Sequence, residues 1–137
     1  MKRILVSVQE ASADRLAADL VTALRTRVDV EVEGLAGPAM LAAGVRPISA
    51  PPMDPVMGLV EVVRHLGVIR KRRRALLEAV ARKPDLLVVV DSADFHLPVA
   101  AIARRMGVPT LGYVGPQLWA WRPGRARTVA ASLDHLL

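Results

Sequence analysis

An α/β fold, with a doubly wound and mostly parallel Rossmann-like sheet, is predicted by two features of the sequence. Short apolar runs rich in β-branched residues alternate with longer segments in which apolar residues recur every three or four positions. The 137 residues are 53% apolar and 23% charged, which is a globular composition long enough for one domain. Strands that alternate with helices favour βαβ units, whose strands run parallel.

The amino-terminal part is predicted to contain two strands and two helical segments. Ile4–Val8 is a short apolar run typical of a strand buried on both faces. Residues 12–27 have leucines every four positions, which predicts an amphipathic helix, and Val28–Glu33 alternates valine with acidic residues, which predicts a half-buried strand. Residues 34–44 should hold a short helical turn opened by Gly-Pro and closed by glycine. The prolines of residues 45–56 predict an irregular loop with at most a short strand.

The carboxy-terminal part begins with a second helical region, from about residue 56 to residue 82, with possible bends at Gly58 and Gly67. Leu86–Val90 is the strongest strand signal in the chain and places Asp91 directly after its end. The remaining predicted elements are a helix at 96–106, a strand at 109–114, a helix at 123–132 and the start of a strand at 133–137. Because the sequence stops within that last run, we expect it to be a piece of a longer protein.

Charge and composition restrict the classes of function. Nineteen Lys and Arg against thirteen Asp and Glu give a net charge of +6, which favours anionic partners such as a membrane surface, a phosphate ligand or nucleic acid. Coding bias also produces a composition rich in Ala, Arg and Val. The absence of cysteine excludes a disulfide scaffold, a thiolate metal site and cysteine catalysis. No apolar run approaches 18 residues, so no membrane-spanning helix is predicted.

Three segments are expected to meet at the carboxyl edge of the sheet, where open α/β folds bind ligands. They are Gln9–Asp14, Asp91–His96 and Gly115–Arg122, and each follows a predicted strand. The first contains neither a dinucleotide fingerprint nor a Walker motif, so it gives no support for nucleotide binding. Convergence of these segments at one edge is the main reason to expect a site there.

The polar residues of the first two segments have alternative interpretations. A carboxylate at Glu10 would point toward the cleft, and Ser12 could either cap the following helix or help its amides to bind an anion. Asp91 is a candidate general base on a hydroxyl group. Asp94 could orient Asp91, bind a sugar hydroxyl or cap the next helix. Together with His96 these carboxylates form only a weak signal for a metal site.

Aromatic and basic residues suggest further contacts. Trp119 and Trp121, next to Arg122, suit a sugar face, an acyl chain or a domain contact, although indoles also fill cores. A basic and apolar segment over residues 53–74 is typical of peripheral binding to anionic lipid, although a solvated helix face has the same pattern. The predicted membrane-binding residues are Met53, Met57, Leu66, Ile69, Arg70, Lys71, Arg72, Arg73 and Arg74. Nucleic acid is disfavoured, because the basic residues are not interleaved with aromatics and no nucleic-acid motif is present.

Six motifs, in order along nearly the whole chain, resemble the N-terminal half of the lipid-A-disaccharide synthases, a family of GT-B glycosyltransferases. Residues 9–14 resemble G-E-A-S-G-D, residues 37–40 resemble G-P-x-M, and residues 56–62 resemble V-M-G-[IL]-V-E-V. Residues 83–85 and 91–96 resemble K-P-D and D-x-P-D-F-N, and residues 113–122 resemble Y-x-x-P-x-[VL]-W-A-W-R. Departures include Gln9 and Ala13 in place of two glycines, Ala93 in place of proline, and His96 in place of asparagine.

The resemblance implies an inverting transfer of 2,3-diacylglucosamine from its UDP carrier to the 6-hydroxyl of 2,3-diacylglucosamine 1-phosphate, without a metal or other cofactor. Asp91 matches the family's proposed general base. Residues that match the acceptor side, or that suit a sugar, are Glu10, Ser12, Asp94, Trp119 and Arg122. The resemblance also implies a cytoplasmic protein, peripheral on the inner membrane, whose partners are the acylated glucosamine phosphate lipid, the UDP-sugar donor and the anionic membrane surface.

We therefore expect residues 1–137 to form the acceptor-side Rossmann-like domain of a GT-B fold. The UDP-sugar-binding domain has no counterpart in this sequence, so we expect the chain alone to be inactive. The alternative is a non-catalytic α/β binding module that kept the fold and lost the chemistry. A phospho-receiver fits poorly, because no acidic pair follows the first strand.

Overall fold

Strands and helices alternate in the computed structural model, which describes residues 1–49, 59–90, 93–113 and 135–136. Within these ranges six strands and four helices are present, and side chains are described for all residues except 59–65, 93–94 and 135–136. The strands are β1 (Lys2–Ser7), β2 (Val30–Leu35), β3 (Arg46–Pro47), β4 (Leu86–Val90), β5 (Thr110–Tyr113) and β6 (His135–Leu136). The helices are α1 (Ala11–Arg25), α2 (Pro38–Ala42), α3 (Leu59–Ala81) and α4 (Ala93–Arg105).

The described strands form one sheet in the order β3-β2-β1-β4-β5-β6, and every adjacent pair is parallel. From β1 the chain adds β2 and then β3 on one side of the sheet. It then returns to the other side of β1, where β4, β5 and β6 follow in order. This order is that of a doubly wound sheet, so the predicted fold class is confirmed.

Each face of the sheet carries its own apolar core, because successive residues of a strand point to opposite faces. Leu5 and Leu87 pack with α3 and α4, whereas Val6 and Val88 pack with α1 and α2. Both sides of β1 and β4 are therefore covered, which explains why these strands are apolar at nearly every position.

Element boundaries differ from the sequence expectations by a few residues. The α1 helix begins at Ala11 rather than at residue 12, and α4 begins at Ala93 rather than at residue 96. The α3 helix continues through Gly67 without interruption. The short helix after Gly37 ends before Gly44, whose φ of 91° is the left-handed conformation expected of a closing glycine. The helix predicted at 123–132 lies outside the described residues.

Three hydrogen bonds join the amino end of the sheet to the end of α3 and the start of β4, opposite the predicted site. The Asp85 carboxylate accepts the Arg3 backbone N–H at 2.8 Å, and the Arg3 guanidinium donates to the carbonyl oxygens of Arg82 and Lys83. Lys83 has a φ of 53°, which lets the chain leave α3 and turn into β4. The segment that resembles K-P-D therefore has a structural role, at the end of the sheet away from the cleft.

Candidate active site at the switch point of the sheet

The direction of winding reverses between β1 and β4, which are adjacent in the sheet. Ser7 at the end of β1 pairs with Val89 in β4, so the carboxyl ends of β1 and β4 lie side by side. Such a switch point is where doubly wound sheets open a crevice for ligands. Asp91, the predicted base, follows Val90 directly in the sequence and lies outside the described residues, so its catalytic role stays a prediction.

Glu10, in the loop between β1 and α1, and Ser12, in the first turn of α1, are both exposed. Glu10 has extended backbone angles (φ −129°, ψ 156°) and is the residue that precedes the first turn of α1. The expectation that Ser12 caps this helix is wrong, because the helix has already begun at Ala11 and no described side chain caps its amino terminus. Both side chains are thus accessible at the carboxyl edge, which is compatible with the ligand contacts predicted for them.

Asp14 joins two of the six motifs through three hydrogen bonds. Its buried carboxylate accepts the backbone N–H groups of Gly37 at 3.0 Å, Ala39 at 2.8 Å and Met40 at 3.0 Å. These are the free donors at the start of α2, so Asp14 caps α2 from within α1. The sequence places Asp14 in the first turn of its own helix but does not reveal this partner.

The two glycine replacements in the first motif leave the loop unstrained. Neither Gln9 nor Ala13 has a positive φ; among the described non-glycine residues only Lys83 does. Ala13 is a buried residue of α1 that packs under the sheet. A glycine is needed instead at Gly37, where a Cβ atom would lie 2.6 Å from the Asp14 carboxylate.

A buried hydroxyl–imidazole pair lies beneath the switch point. Ser7 Oγ and His96 Nε2 are 2.7 Å apart, and both side chains are almost completely buried. The pair links the end of β1 to α4, and the Phe95 ring packs edge-on against the imidazole with 5.1 Å between ring centres. His96 is therefore an internal hydrogen-bonding residue that ties the β1 end to the helix following Asp91.

The burial of Arg72 contradicts the prediction that this residue lies on the membrane-binding surface. The basic run predicts it on the membrane-binding surface, but its side chain is only 1% exposed. Its Nη2 donates to the Val8 carbonyl oxygen at 2.9 Å, and its Nε donates to Gln9 Oε1 at 3.1 Å. Burial lowers the pKa of the guanidinium from its usual, very high value, and the group remains charged. Arg72 therefore fixes the loop that leads from β1 to Glu10.

The other predicted membrane-binding residues of α3 fall into an exposed group and a partly buried group. Leu66, Arg70, Lys71 and Arg74 are exposed, and three of them recur at four-residue spacing on one helix face. The prediction that Ile69 binds the membrane is also wrong, because this residue packs against the core on the α3 face of the sheet. The guanidinium of half-buried Arg73 lies 5.1 Å from the Phe95 ring centre. Among the described helices, none combines the length and the apolar character that a membrane span requires.

Several predicted site residues lie outside the described residues: Asp91, Trp119, Arg122, Met53 and Met57. Asp94 is the second residue of α4, so like Ser12 it lies inside its helix and not at the capping position before it, and its side chain is not among those described. Within the described ranges, no three His, Asp or Glu side chains come together as a metal site would require.

Three polar residues beneath the site were missed or misassigned: Ser7, Arg72 and His96. One signal was available for Arg72. It falls between Ile69 and Leu76 at the three- and four-residue spacing of the buried face of α3, where a charged residue needs internal partners. Ser7 offered a similar signal, as the single polar residue in an apolar strand.

Comparisons with known proteins agree with the motifs. A family model described as lipid-A-disaccharide synthetase matches residues 4–137. The lipid-A-disaccharide synthase of Alkalilimnicola ehrlichii is 44% identical over 139 residues, which covers 98% of this chain and 36% of that protein. This chain thus spans about a third of the length of the curated relatives it matches.

Solved structures share the fold at low sequence identity. The calicheamicin glycosyltransferase CalG4 superposes with a TM-score of 0.53 at 18% identity, covering 88% of this chain and 36% of that one. A saccharopine dehydrogenase from Saccharomyces cerevisiae gives the same TM-score at 19% identity, covering 98% of this chain and 26% of that one. Because a dehydrogenase matches as well as a glycosyltransferase, this likeness shows the fold alone. The family match over residues 4–137, together with the six motifs in the sequence, shows that the chain belongs to the lipid-A-disaccharide synthase family.

Proposed function

We propose that residues 1–137 are the acceptor-side domain of a lipid-A-disaccharide synthase. The reaction transfers 2,3-diacylglucosamine from its UDP carrier to the 6-hydroxyl of 2,3-diacylglucosamine 1-phosphate. Family membership supports this assignment, and one structural observation carries it. The end of β4 lies beside the end of β1 at the switch point, and Asp91 follows β4 directly in the sequence, as Glu10 and Ser12 follow β1.

The proposed chemistry is a single displacement with inversion. Asp91 takes the proton of the acceptor 6-hydroxyl while that oxygen forms a bond to C1 of the donor sugar and the bond from C1 to the UDP phosphate breaks. One base is sufficient because no covalent intermediate forms on the protein. Glu10, Ser12, Asp94, Trp119 and Arg122 are proposed to hold the acceptor, and UDP leaves from a donor-binding domain.

A chimera tests this proposal directly. Residues 1–137 would replace the matching 36% of the Alkalilimnicola ehrlichii relative, so that the remainder of that protein supplies the donor side. We expect the chimera to transfer diacylglucosamine, and Asp91→Asn to lower kcat by roughly a hundredfold to ten-thousandfold, as loss of a general base does.

Asp19→Asn is the matched control, since Asp19 is exposed on α1 and its loss should leave kcat unchanged. A folded chimera that transfers no sugar would support the alternative of a binding module. Equal kcat for the chimera and its Asp91→Asn variant would remove Asp91 from the mechanism.

We also propose that the exposed face of α3 binds the surface of an anionic membrane, in which the lipid substrates are located. The exposed residues Leu66, Arg70, Lys71 and Arg74 support this proposal, because they combine an apolar side chain with three cations on one side of a helix. Arg72 takes no part, since it is buried.

Vesicle binding tests the membrane proposal. Each basic residue near an anionic surface adds about 1 kcal/mol, so changing Arg70, Lys71 and Arg74 together to Gln should weaken binding on the order of a hundredfold. The comparison uses vesicles of phosphatidylethanolamine with phosphatidylglycerol against phosphatidylcholine alone. Changing the exposed residues Arg15, Arg27 and Arg105 to Gln removes the same charge elsewhere and should have little effect. If both triple variants weaken vesicle binding equally, the binding depends on net charge alone, and the proposal that α3 contacts the membrane is refuted.

A further inference from the structure

We infer that Gln9 is a specificity-determining residue of the proposed acceptor site, and that Arg72 is the positioning residue that orients it. Gln9 follows Val8 at the end of β1, directly before Glu10 and at the switch point. The inference rests on the proposed function and adds a contact that the family motif does not contain, since glycine stands at this place in G-E-A-S-G-D.

The orientation of the Gln9 carboxamide is set by chemistry. Arg72 Nε can only donate a hydrogen bond, so the Gln9 atom 3.1 Å away must be the oxygen. The other atom of the carboxamide is then the NH2 group, which can only donate. A second bond from Arg72 to the Val8 carbonyl oxygen holds the backbone next to it, so the guanidinium fixes both the side chain and its loop.

The NH2 group of Gln9 is a buried donor with no partner among the described residues. Its Nε2 atom is shielded from solvent and makes no hydrogen bond in the part of the chain that the structure describes. Folded proteins pair nearly all buried donors, because an unpaired one loses its bond to water and gains nothing. A donor that is fixed in this way at the carboxyl edge indicates a partner from outside the chain. The partner would be an oxygen of the bound sugar, either on its phosphate or in a hydroxyl group.

Side-chain NMR tests the inference with soluble probes. Glucosamine 1-phosphate and glucosamine would be titrated into the 15N-labelled chain, and the Gln9 NH2 signals would be identified as those missing from Gln9→Leu. We expect these signals to shift on binding, and Gln9→Leu to weaken binding roughly threefold to tenfold, as loss of one hydrogen bond does. Arg72→Lys should weaken binding at least as much, since it also disturbs the bond to the Val8 carbonyl, and adding Gln9→Leu to it should weaken binding no further, because Gln9 acts only when Arg72 orients it.

A Gln9→Glu variant keeps an acceptor for Arg72 and removes the donor, so it remains informative if Gln9→Leu fails to fold. If the ligand oxygen belongs to the phosphate, the carboxylate repels it and only glucosamine 1-phosphate loses affinity. If the oxygen belongs to a hydroxyl, the hydroxyl donates to the carboxylate and both probes still bind, while Gln9→Leu weakens both.

The failing outcomes are distinct. Should the Glu10 amide signal shift while the Gln9 NH2 signals stay in place and Gln9→Leu binds as the unmodified chain does, the inference falls and the proposed function stands. Should neither probe shift any signal at this edge, both fall.

Discussion

At the scale of single residues, two of the six motifs are joined by a side chain that reaches backbone groups more than 20 positions away in the sequence. Asp14 is the clearest example, since one carboxylate accepts three N–H groups at the start of α2. Charge-assisted bonds of this kind are stronger than neutral ones, and here they are buried. Residues 9–14 and 37–40 therefore form a single structural unit.

We expect Asp14→Ala to lower the free energy of unfolding by about 3 kcal/mol, because three buried donors lose their acceptor. Asp14→Asn should lower it less, since the amide keeps one acceptor oxygen. Urea denaturation measures both, with Asp19→Ala on the exposed face of α1 as the control expected to change stability by less than about 0.5 kcal/mol. A loss for Asp14→Ala no larger than that of the control would contradict the capping role.

At the scale of elements, β1 and β2 approach each other too closely for a side chain at one position. Gly34 pairs with Val6 in parallel register, and a Cβ atom at Gly34 would overlap the Val6 carbonyl oxygen. That oxygen belongs to the backbone and cannot turn aside, so any larger residue must push the two strands apart. Gly34 therefore secures the register of β1, from which the site loop leaves.

Gly34→Ala should lower the free energy of unfolding by about 3 kcal/mol through this overlap. Gly67→Ala is the matched control with the opposite sign, because Gly67 is exposed in α3 and an added Cβ would meet no described atom within 4 Å. There the change should raise stability by about 0.5–1 kcal/mol through helix propensity. Thermal and urea unfolding of the two variants would show the difference, and equal effects would refute the steric argument.

The order and type of the elements could be predicted from periodicity, because strands buried on both faces are continuously apolar and α1 has leucines every four residues. Asp14 and Arg72 could not be placed this way. Periodicity assigns a face to a residue, but it does not show which backbone groups lie opposite that face. For Arg72 the run of five basic residues suggested a surface, whereas only the helical phase separates Arg72 from its exposed neighbours Lys71 and Arg74.

At the scale of the whole molecule, an ionic cluster connects α3 to the edge of the sheet. Glu33 on β2 accepts from Arg46 at 2.9 Å and from Arg82 at 3.2 Å. Burial raises the pKa of the Glu33 carboxyl, but the hydrogen bonds and charges of the two arginines outweigh it and leave the pKa below its usual value. A carboxyl with a lowered pKa stabilises the fold above its unfolded pKa of about 4.3, and that contribution is lost as the pH falls through the folded pKa.

Glu33→Gln should therefore lower the free energy of unfolding at pH 7 only slightly, because both arginines are largely exposed and solvent screens their charges. The difference from the unmodified chain should shrink below about pH 4 and in high salt. Urea unfolding at pH 7 and at pH 3 measures it, with exposed Glu78→Gln as the control. If the difference in the free energy of unfolding is the same at pH 3 as at pH 7, it comes from packing and not from the charge of Glu33.

The central place of β1 has a consequence for synthesis on the ribosome. Of the described strands β1 is translated first, yet it lies in the middle of the sheet, and its contact with the residue before β4 joins positions 82 apart. Until that later segment has been translated, one side of β1 keeps its amides and carbonyls open to other chains. Nascent copies on a polysome would therefore be most vulnerable to cross-pairing between completion of β2 and arrival of β4.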